Sequence, residues 1–276
     1  MFVPLILALL AVERPQVAQL PVAPPPRLAA VEKHLAAWKE ETAKLTNIHA
    51  DISLTRTPVA FFGRVKRFSG VILHMQPNYF VMRLENNADR TGADYEASIC
   101  DGKAVYAYNG LQKSILARSI VEETPVRPVS PPTQEEMILE QWRQFFDRVV
   151  RALHPGEHFA TKCLIGSEAL FDRQRYWITF AGAGGGIINL DFEPVFPEDK
   201  QEFTKARVSL IGPGNNKLAY MTTTVELTLP NGDTEVWKFT DWKRDIPGLA
   251  PYNFAFQKVP GFKLTDLRKM PEPKEK

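Results

Sequence analysis

Short segments of alternating apolar and polar residues, separated by tight turns, constrain the fold of this 276-residue chain more than any other feature. The turns include Gln76-Pro77-Asn78, Asp101-Gly102 and Asn109-Gly110, which are typical of connections between neighbouring strands. Each link is too short to hold a crossover helix, so we expect an antiparallel sheet in which consecutive strands are neighbours. The first run of predicted strands covers residues 49–55, 70–75, 79–85, 95–100, 104–109 and 113–117.

Two amphipathic helices are predicted at the boundaries of this run. Residues 28–46 place an apolar stripe that includes Trp38 on one face, with charged residues around it. Residues 134–153 form a second stripe that includes Trp142 and Phe145. The stretch 124–132 before the second helix contains four prolines, which favour an extended connection. Each helix must therefore cover an apolar surface elsewhere in the molecule.

A second run of strands is expected to begin at about residue 159 and to end at about residue 241. The order helix, strands, helix, strands predicts an α+β fold, in which one large antiparallel sheet is curved by strand twist and helices cover its concave face. Alternation alone does not separate a packed core from a lined cavity under those helices. The strand candidates are 176–180, 187–192, 206–211, 218–229 and 235–240, with 253–258 as a short last strand.

The N-terminal residues indicate export. Residues 1–12 are almost wholly apolar and have the length of a signal-peptide core, and residues 13–27 form a Pro- and Ala-rich linker. An apolar tail packed on the surface is the alternative. We expect a single domain over 28–268, a disordered tail over 269–276 and a periplasmic or secreted protein. No other segment is long and apolar enough to cross a membrane, so an integral membrane protein is not expected.

Charge and cysteine content limit the possible functions. The formal net charge is only +2, from 34 basic and 32 acidic residues, which argues against nucleic-acid binding. Cys100 and Cys163 allow at most one disulfide, and the sequence leaves open whether they are joined. The cluster Arg64, Lys66 and Arg67 is either a solvated hairpin tip or a contact for anionic lipid headgroups or an acidic partner.

The motifs that would indicate an enzyme fail on inspection. The glycines between Gly182 and Gly186 do not follow the G-x-G-x-x-G pattern and precede a strand, so a hairpin turn is favoured. His154 and His158 have helical metal-ligand spacing, but Pro155 and Gly156 interrupt the helix between them. No local nucleophile–base pair is present. We therefore predict a non-catalytic protein with no cofactor and no metal.

Four stretches carry a resemblance to a known family. They are the helix exit 47–52, the segment 70–80 with its Pro-Asn turn, the Asp-Gly-Lys hairpin within 98–109, and the aromatic segment 254–262. Their order and spacing resemble the LolA-like family, the periplasmic carriers of lipoproteins. That resemblance implies an incomplete antiparallel barrel whose mouth is covered by helices, and a cavity that holds acyl chains without catalysing a reaction.

The resemblance also supplies a candidate ligand-binding set. Alternation places three residues of strand 79–85 toward the implied cavity together with Ile72, and Gln76 stands where the carriers have an arginine. The expected partner is a lipid or an acylated protein, bound by a monomer with the 134–153 helix as a lid. The alternative is a cell-envelope structural, sensor or protein-interaction module with a packed core, which binds an envelope protein. The candidate residues are Ile72, Gln76, Phe80, Met82, Leu84, Tyr106, Trp142 and Phe145.

Overall fold

The computed structural model describes residues 28–60, 63–119, 157–166, 168–171, 174–214, 217–266 and 268. The predicted leader 1–27, the predicted helix 134–153 with Trp142 and Phe145, and the predicted tail 269–276 lie outside the described residues. The described part forms two α-helices and twelve strands. These are α1 (Leu28–Ala43), β1 (Asn47–Thr57), β2 (Lys66–Met75), β3 (Tyr79–Asn86), β4 (Tyr95–Asp101), β5 (Ala104–Asn109), β6 (Ser114–Ser119), α2 (Glu157–Ile165), β7 (Tyr176–Gly184), β8 (Ile187–Pro194), β9 (Lys205–Ile211), β10 (Thr222–Thr228), β11 (Thr234–Arg244) and β12 (Lys263–Asp266).

All twelve strands belong to one open sheet, in the order β12-β6-β5-β4-β3-β2-β1-β11-β10-β9-β8-β7. Ten of the eleven strand pairs between neighbours are antiparallel, and only β12 runs parallel to its neighbour β6. The predicted α+β fold, an incomplete barrel of mostly antiparallel strands with helices, is therefore confirmed.

The two runs of strands meet in the middle of the sheet. Leu54 of β1 lies opposite Phe68 of β2 on one side and Trp237 of β11 on the other. Directly paired residues point to the same face of a sheet, so these three side chains define one face, which we call the concave face. They are all almost completely buried and belong to a single apolar core.

The helices fill this core over strands β7–β10. On α1, the Trp38 ring lies edge-on to Phe171, 5.5 Å away, and to Phe192, 6.5 Å away. On α2, the Phe159 ring lies 4.3 Å from Phe203. All five side chains except Phe171 are fully buried, so this half of the concave face is a packed aromatic interior.

A glycine in β2 permits the close approach of the neighbouring strand. Gly70 lies opposite Leu84, and a Cβ atom at Gly70 would overlap the carbonyl oxygen of Arg83. A glycine inside a strand marks a tight bend or a close backbone approach. Any larger residue at Gly70 would force β2 and β3 apart in the middle of the first run of strands.

Two details of the second run differ from the sequence-based expectation. Residues 157–165 are helical where strands were expected to resume, because the fully buried Phe159, Ala160, Cys163 and Leu164 repeat with helical spacing. The predicted strand 218–229 begins only at Thr222, after a turn.

The predicted last strand 253–258 is also wrong. Pro251–Phe254 is a 3₁₀ turn and the chain that follows is irregular, while the real last strand, β12, begins at Lys263. Phe254 and Phe256 alternate as strand residues do, but both pack against the sheet from outside it. The parallel pairing of β12 with β6 also departs from the expected all-antiparallel sheet.

Candidate functional site

The concave face of β2 and β3 brings together four of the predicted ligand-binding residues. Ile72 lies directly opposite Met82, Phe80 lies opposite His74, and Leu84 lies opposite Gly70. The alternation of β3 places Phe80, Met82 and Leu84 on the same face of the sheet. The structure therefore joins these residues into one apolar surface next to the central core.

Two further candidates, Tyr106 and Gln76, do not join this surface, and Trp142 and Phe145 lie outside the described residues. Tyr106 pairs with Ile99 and Ala117, and these residues alternate with those that continue the concave face. The Tyr106 side chain therefore points to the opposite, convex face, where it is buried in a second core. Gln76 is an exposed residue of the turn between β2 and β3.

Beyond β3, the residues of the concave face are less deeply buried. Met82 continues across the sheet to Ser98, Ala107 and then Leu116. Val105, two residues before Ala107, shares this face. Ile72, Met82 and Leu84 are at most 1% exposed, whereas Ser98, Val105, Ala107 and Leu116 are only half-buried. We call these four half-buried residues the concave patch.

The tyrosine side chains of β4 and β5, Tyr95, Tyr106 and Tyr108, lie on the other side of the sheet. The Tyr106 ring stacks on Phe256 at 4.4 Å, and the Tyr108 hydroxyl donates a hydrogen bond to the carbonyl oxygen of Gln257 at 2.8 Å. The Arg268 guanidinium donates to the Tyr106 hydroxyl at 3.0 Å. The C-terminal segment thus seals a convex core, and the bulky residues of β5 are used there instead of on the concave face.

A buried ion network closes one end of the concave face. Arg56 donates two hydrogen bonds to the Glu96 carboxylate, at 2.8 and 3.0 Å, and a third to Glu235 at 2.9 Å. The indole nitrogen of Trp237 donates to the other oxygen of Glu235 at 3.0 Å. Burial raises the pKa of Glu235, and the nearby Arg56 charge opposes that rise. A carboxylate at an apolar position of an alternating strand was the signal that could have revealed this network.

His74 also faces the concave side. It lies between Ile48 and Phe80 in register, and burial lowers its pKa from 6.5 to about 4. The imidazole is therefore neutral at pH 7 and can form part of an apolar wall. No local pattern in the sequence singles out this histidine, because its surroundings come from three different strands.

The cysteines, the glycine-rich stretch and the histidine pair singled out in the sequence do not form a reactive site among the described residues. Cys100 and Cys163 are both buried and are free thiols, so no disulfide joins the two halves of the chain. Gly185 and Gly186, both with positive φ, form the predicted hairpin turn between β7 and β8. His154 lies outside the described residues. Within the part that the structure describes, no three His, Cys, Asp or Glu side chains are grouped as metal ligands would be.

The described helices differ from membrane spans in length and composition. In the ranges given above, neither helix combines the length and the apolar character that a membrane span requires.

Comparisons with known proteins return similar structures but no similar sequence. No protein-family model matches the chain, and a search of curated proteins finds no match. An uncharacterized conserved protein from Thermus thermophilus has a TM-score of 0.44 and 8% identity, over 85% of this chain and 98% of that one. A putative outer membrane lipoprotein-sorting protein domain from Vibrio parahaemolyticus has a TM-score of 0.36 and 13% identity, over 81% and 97%.

A LolA superfamily protein, NE2245 from Nitrosomonas europaea, has a TM-score of 0.34 and 8% identity, over 82% of this chain and 97% of that one. The similar structures thus include a LolA superfamily protein and a lipoprotein-sorting domain, in line with the resemblance predicted from the sequence, with TM-scores below 0.5 and identities below 25%. The sheet order and the registers described above come from the structure itself and do not depend on this resemblance.

Proposed function

We propose that this protein binds an apolar ligand, a lipid or a protein-bound acyl chain, on the concave patch of β4–β6 beside the wall formed by Ile72, Phe80 and Met82. The ligand is held without chemical change, and neither a cofactor nor a metal takes part.

One observation supports this proposal: strands β4–β6 carry buried tyrosines on the convex face but smaller, partly exposed side chains on the concave face. On the convex face, Tyr106 and Tyr108 are buried against the C-terminal segment. On the concave face, the concave patch carries smaller, non-aromatic side chains (Ser98, Val105, Ala107 and Leu116) that remain partly exposed. Small residues beside an apolar wall leave the volume that an alkyl chain needs.

Burial of methylene groups would drive binding. Each methylene removed from water contributes about 0.8 kcal/mol, so a chain that buries about ten of them gains about 8 kcal/mol before the cost of association is subtracted. His74 does not disturb this surface, because it carries no charge at neutral pH. The ion network around Arg56 marks the polar end of the same face.

Export fits this function. The predicted leader over residues 1–27 would place the protein in the periplasm or outside the cell, where lipids and lipoproteins require carriers between membranes. The predicted helix over 134–153 as a lid stays a prediction, since it lies outside the described residues.

A bulky substitution on the concave patch tests the proposal. The full chain is purified, its lipids are extracted for mass spectrometry, and a fluorescent fatty acid is titrated into the delipidated protein. Ala107→Trp fills the proposed space and is expected to weaken fatty-acid binding by about tenfold or more, which corresponds to about 1.4 kcal/mol. Ala183→Trp adds the same bulk at an exposed position of β7 and is expected to change nothing. No co-purified lipid together with no fatty-acid binding contradicts the proposal.

The outer edge of β7 favours a second candidate, an envelope protein-interaction module. Among the described strands β7 is the last in the sheet order, so one side of its backbone has no neighbouring strand. An extended peptide can add to such an edge. Isolation from envelope extracts of a partner whose binding is lost in Thr179→Pro would support this candidate, and unchanged binding by that variant would exclude the edge.

A further inference from the structure

A cleft of about 240 Å³ opens at the end of the sheet where the β1–β2 connection meets the hairpin between β10 and β11. Three cationic side chains, Arg56, Arg64 and Lys66, line it, together with the hydroxyl-bearing residues Thr57 and Thr234. None of these residues belongs to the concave patch, so a ligand in this cleft is independent of the proposed function.

The two acidic residues of the cleft are already occupied by other contacts. Glu235 accepts hydrogen bonds from Arg56 and from Trp237, at 2.9 and 3.0 Å. Asp233 accepts from the backbone N–H of Val59 at 2.7 Å and from the side chain of Asn231 at 2.9 Å. These contacts hold the walls of the cleft in place, and its three cations outnumber its two carboxylates, which leaves a net positive charge.

Arg64 and Lys66 supply that remaining charge. Both are exposed, and no ion pair joins either one to a carboxylate within the described part of the chain. Lys66 pairs with Arg56 across β1 and β2, whereas Arg67 pairs with Thr55 and therefore points to the opposite face. Two of the three basic residues predicted as a cluster are thus directed into one cleft.

We propose that this cleft binds a phosphate group, either as free phosphate or as the headgroup of a phospholipid. Arg64 and Lys66, two cations with no ion pair among the described residues, match the charge of a phosphate, and their N–H groups can donate to its several acceptor oxygens. The partial enclosure of the cleft, with Pro58 and Leu229 in its walls, strengthens the attraction relative to a fully exposed pair of charges.

The test compares two charge-neutralised variants of the full chain. The double variant Arg64→Gln/Lys66→Gln removes both side chains proposed to bind phosphate. The control variant Lys103→Gln/Lys258→Gln removes the same charge from exposed positions outside the cleft. Inorganic phosphate is titrated while backbone amide signals are followed by NMR. In a second arm, sedimentation with phosphatidylglycerol vesicles is measured with and without phosphate as a competitor.

In the unmodified protein, saturable shifts at Thr57 and Thr234 on addition of phosphate are expected. The Arg64/Lys66 variant should bind about tenfold more weakly or not at all, and the control should bind as the unmodified protein does. Phosphate binding identifies free phosphate as a ligand, and vesicle binding that is lost only in the Arg64/Lys66 variant identifies the lipid headgroup. Absence of both, or an equal loss in the control variant, overturns the proposal.

Discussion

Replacement of Gly166 by alanine tests how closely α2 packs on α1. Gly166 follows the last turn of α2 with a φ of 62°, in the left-handed region that favours glycine. A Cβ atom there would overlap the side chain of Thr42 on α1. Thr42 cannot move freely, because it is buried and its hydroxyl donates to the carbonyl oxygen of Trp38 at 2.9 Å.

The expected loss of stability has two parts. An L-residue in the left-handed conformation costs about 1–2 kcal/mol. Displacement of a well-packed side chain by an added carbon costs about 1–3 kcal/mol. Gly166→Ala should therefore lower the free energy of unfolding by about 2–5 kcal/mol. Gly185→Ala is the matched control, because Gly185 has a similar φ of 59° but no heavy atom within 4 Å of the added Cβ.

The assay is urea unfolding followed by tryptophan fluorescence, with the midpoint and the slope fitted separately. Gly185→Ala is expected to lose only the backbone part, so the difference between the two variants isolates the contact with Thr42. If the two variants lose the same free energy within about 0.5 kcal/mol, the close packing of α2 on α1 is refuted.

Three further predictions concern pH, thiols and the convex core. Because burial lowers the pKa of His74 to about 4 from 6.5, the stability that depends on neutral His74 should be complete above pH 6.5 and fall as the pH drops toward 4, by at most about 3 kcal/mol. His74→Gln should flatten urea midpoints measured across this range, and an unchanged pH dependence in that variant would contradict the burial of the imidazole. Cys100 and Cys163 should resist a thiol reagent in the native protein and both react in denaturant, and a thermal midpoint that falls on reduction would contradict their free state. Phe256→Ala should destabilise the protein by about 2–4 kcal/mol in urea unfolding, since its ring packs on a buried tyrosine, and a loss below about 0.5 kcal/mol would contradict the convex core.

The sequence predicted the first run of strands well because their signals are local. Alternation and tight turns such as Asp101-Gly102 lie within a few residues of the strands they delimit. Strands β3 to β6 form within two residues of the expected bounds, whereas β2 begins four residues before its expected start, at Lys66. The same reasoning found α1, whose apolar stripe is long enough to be distinct. It missed α2, whose nine residues give too short a pattern to separate from the strands expected there.

The choice of face could not be predicted for every strand. Alternation showed that Tyr106 and Tyr108 share a face, but which face depends on the register carried from β3 through β4. The side chains of Phe80 and Met82 were placed together correctly because they lie on one strand. The position of Glu235 in an alternating strand signals a buried carboxylate, but its partner Arg56 lies 179 positions away and cannot be identified from local sequence.

The convex core has a consequence for synthesis of the chain on the ribosome. Tyr106 and Tyr108 are translated long before Phe256, which covers both rings, since the contact between Tyr108 and Gln257 spans 149 positions. Until Phe256 emerges, the aromatic surface of β5 stays open to water. That interval is when a nascent molecule is most exposed to self-association, and a ribosome stalled before residue 256 would release a product with this surface permanently bare.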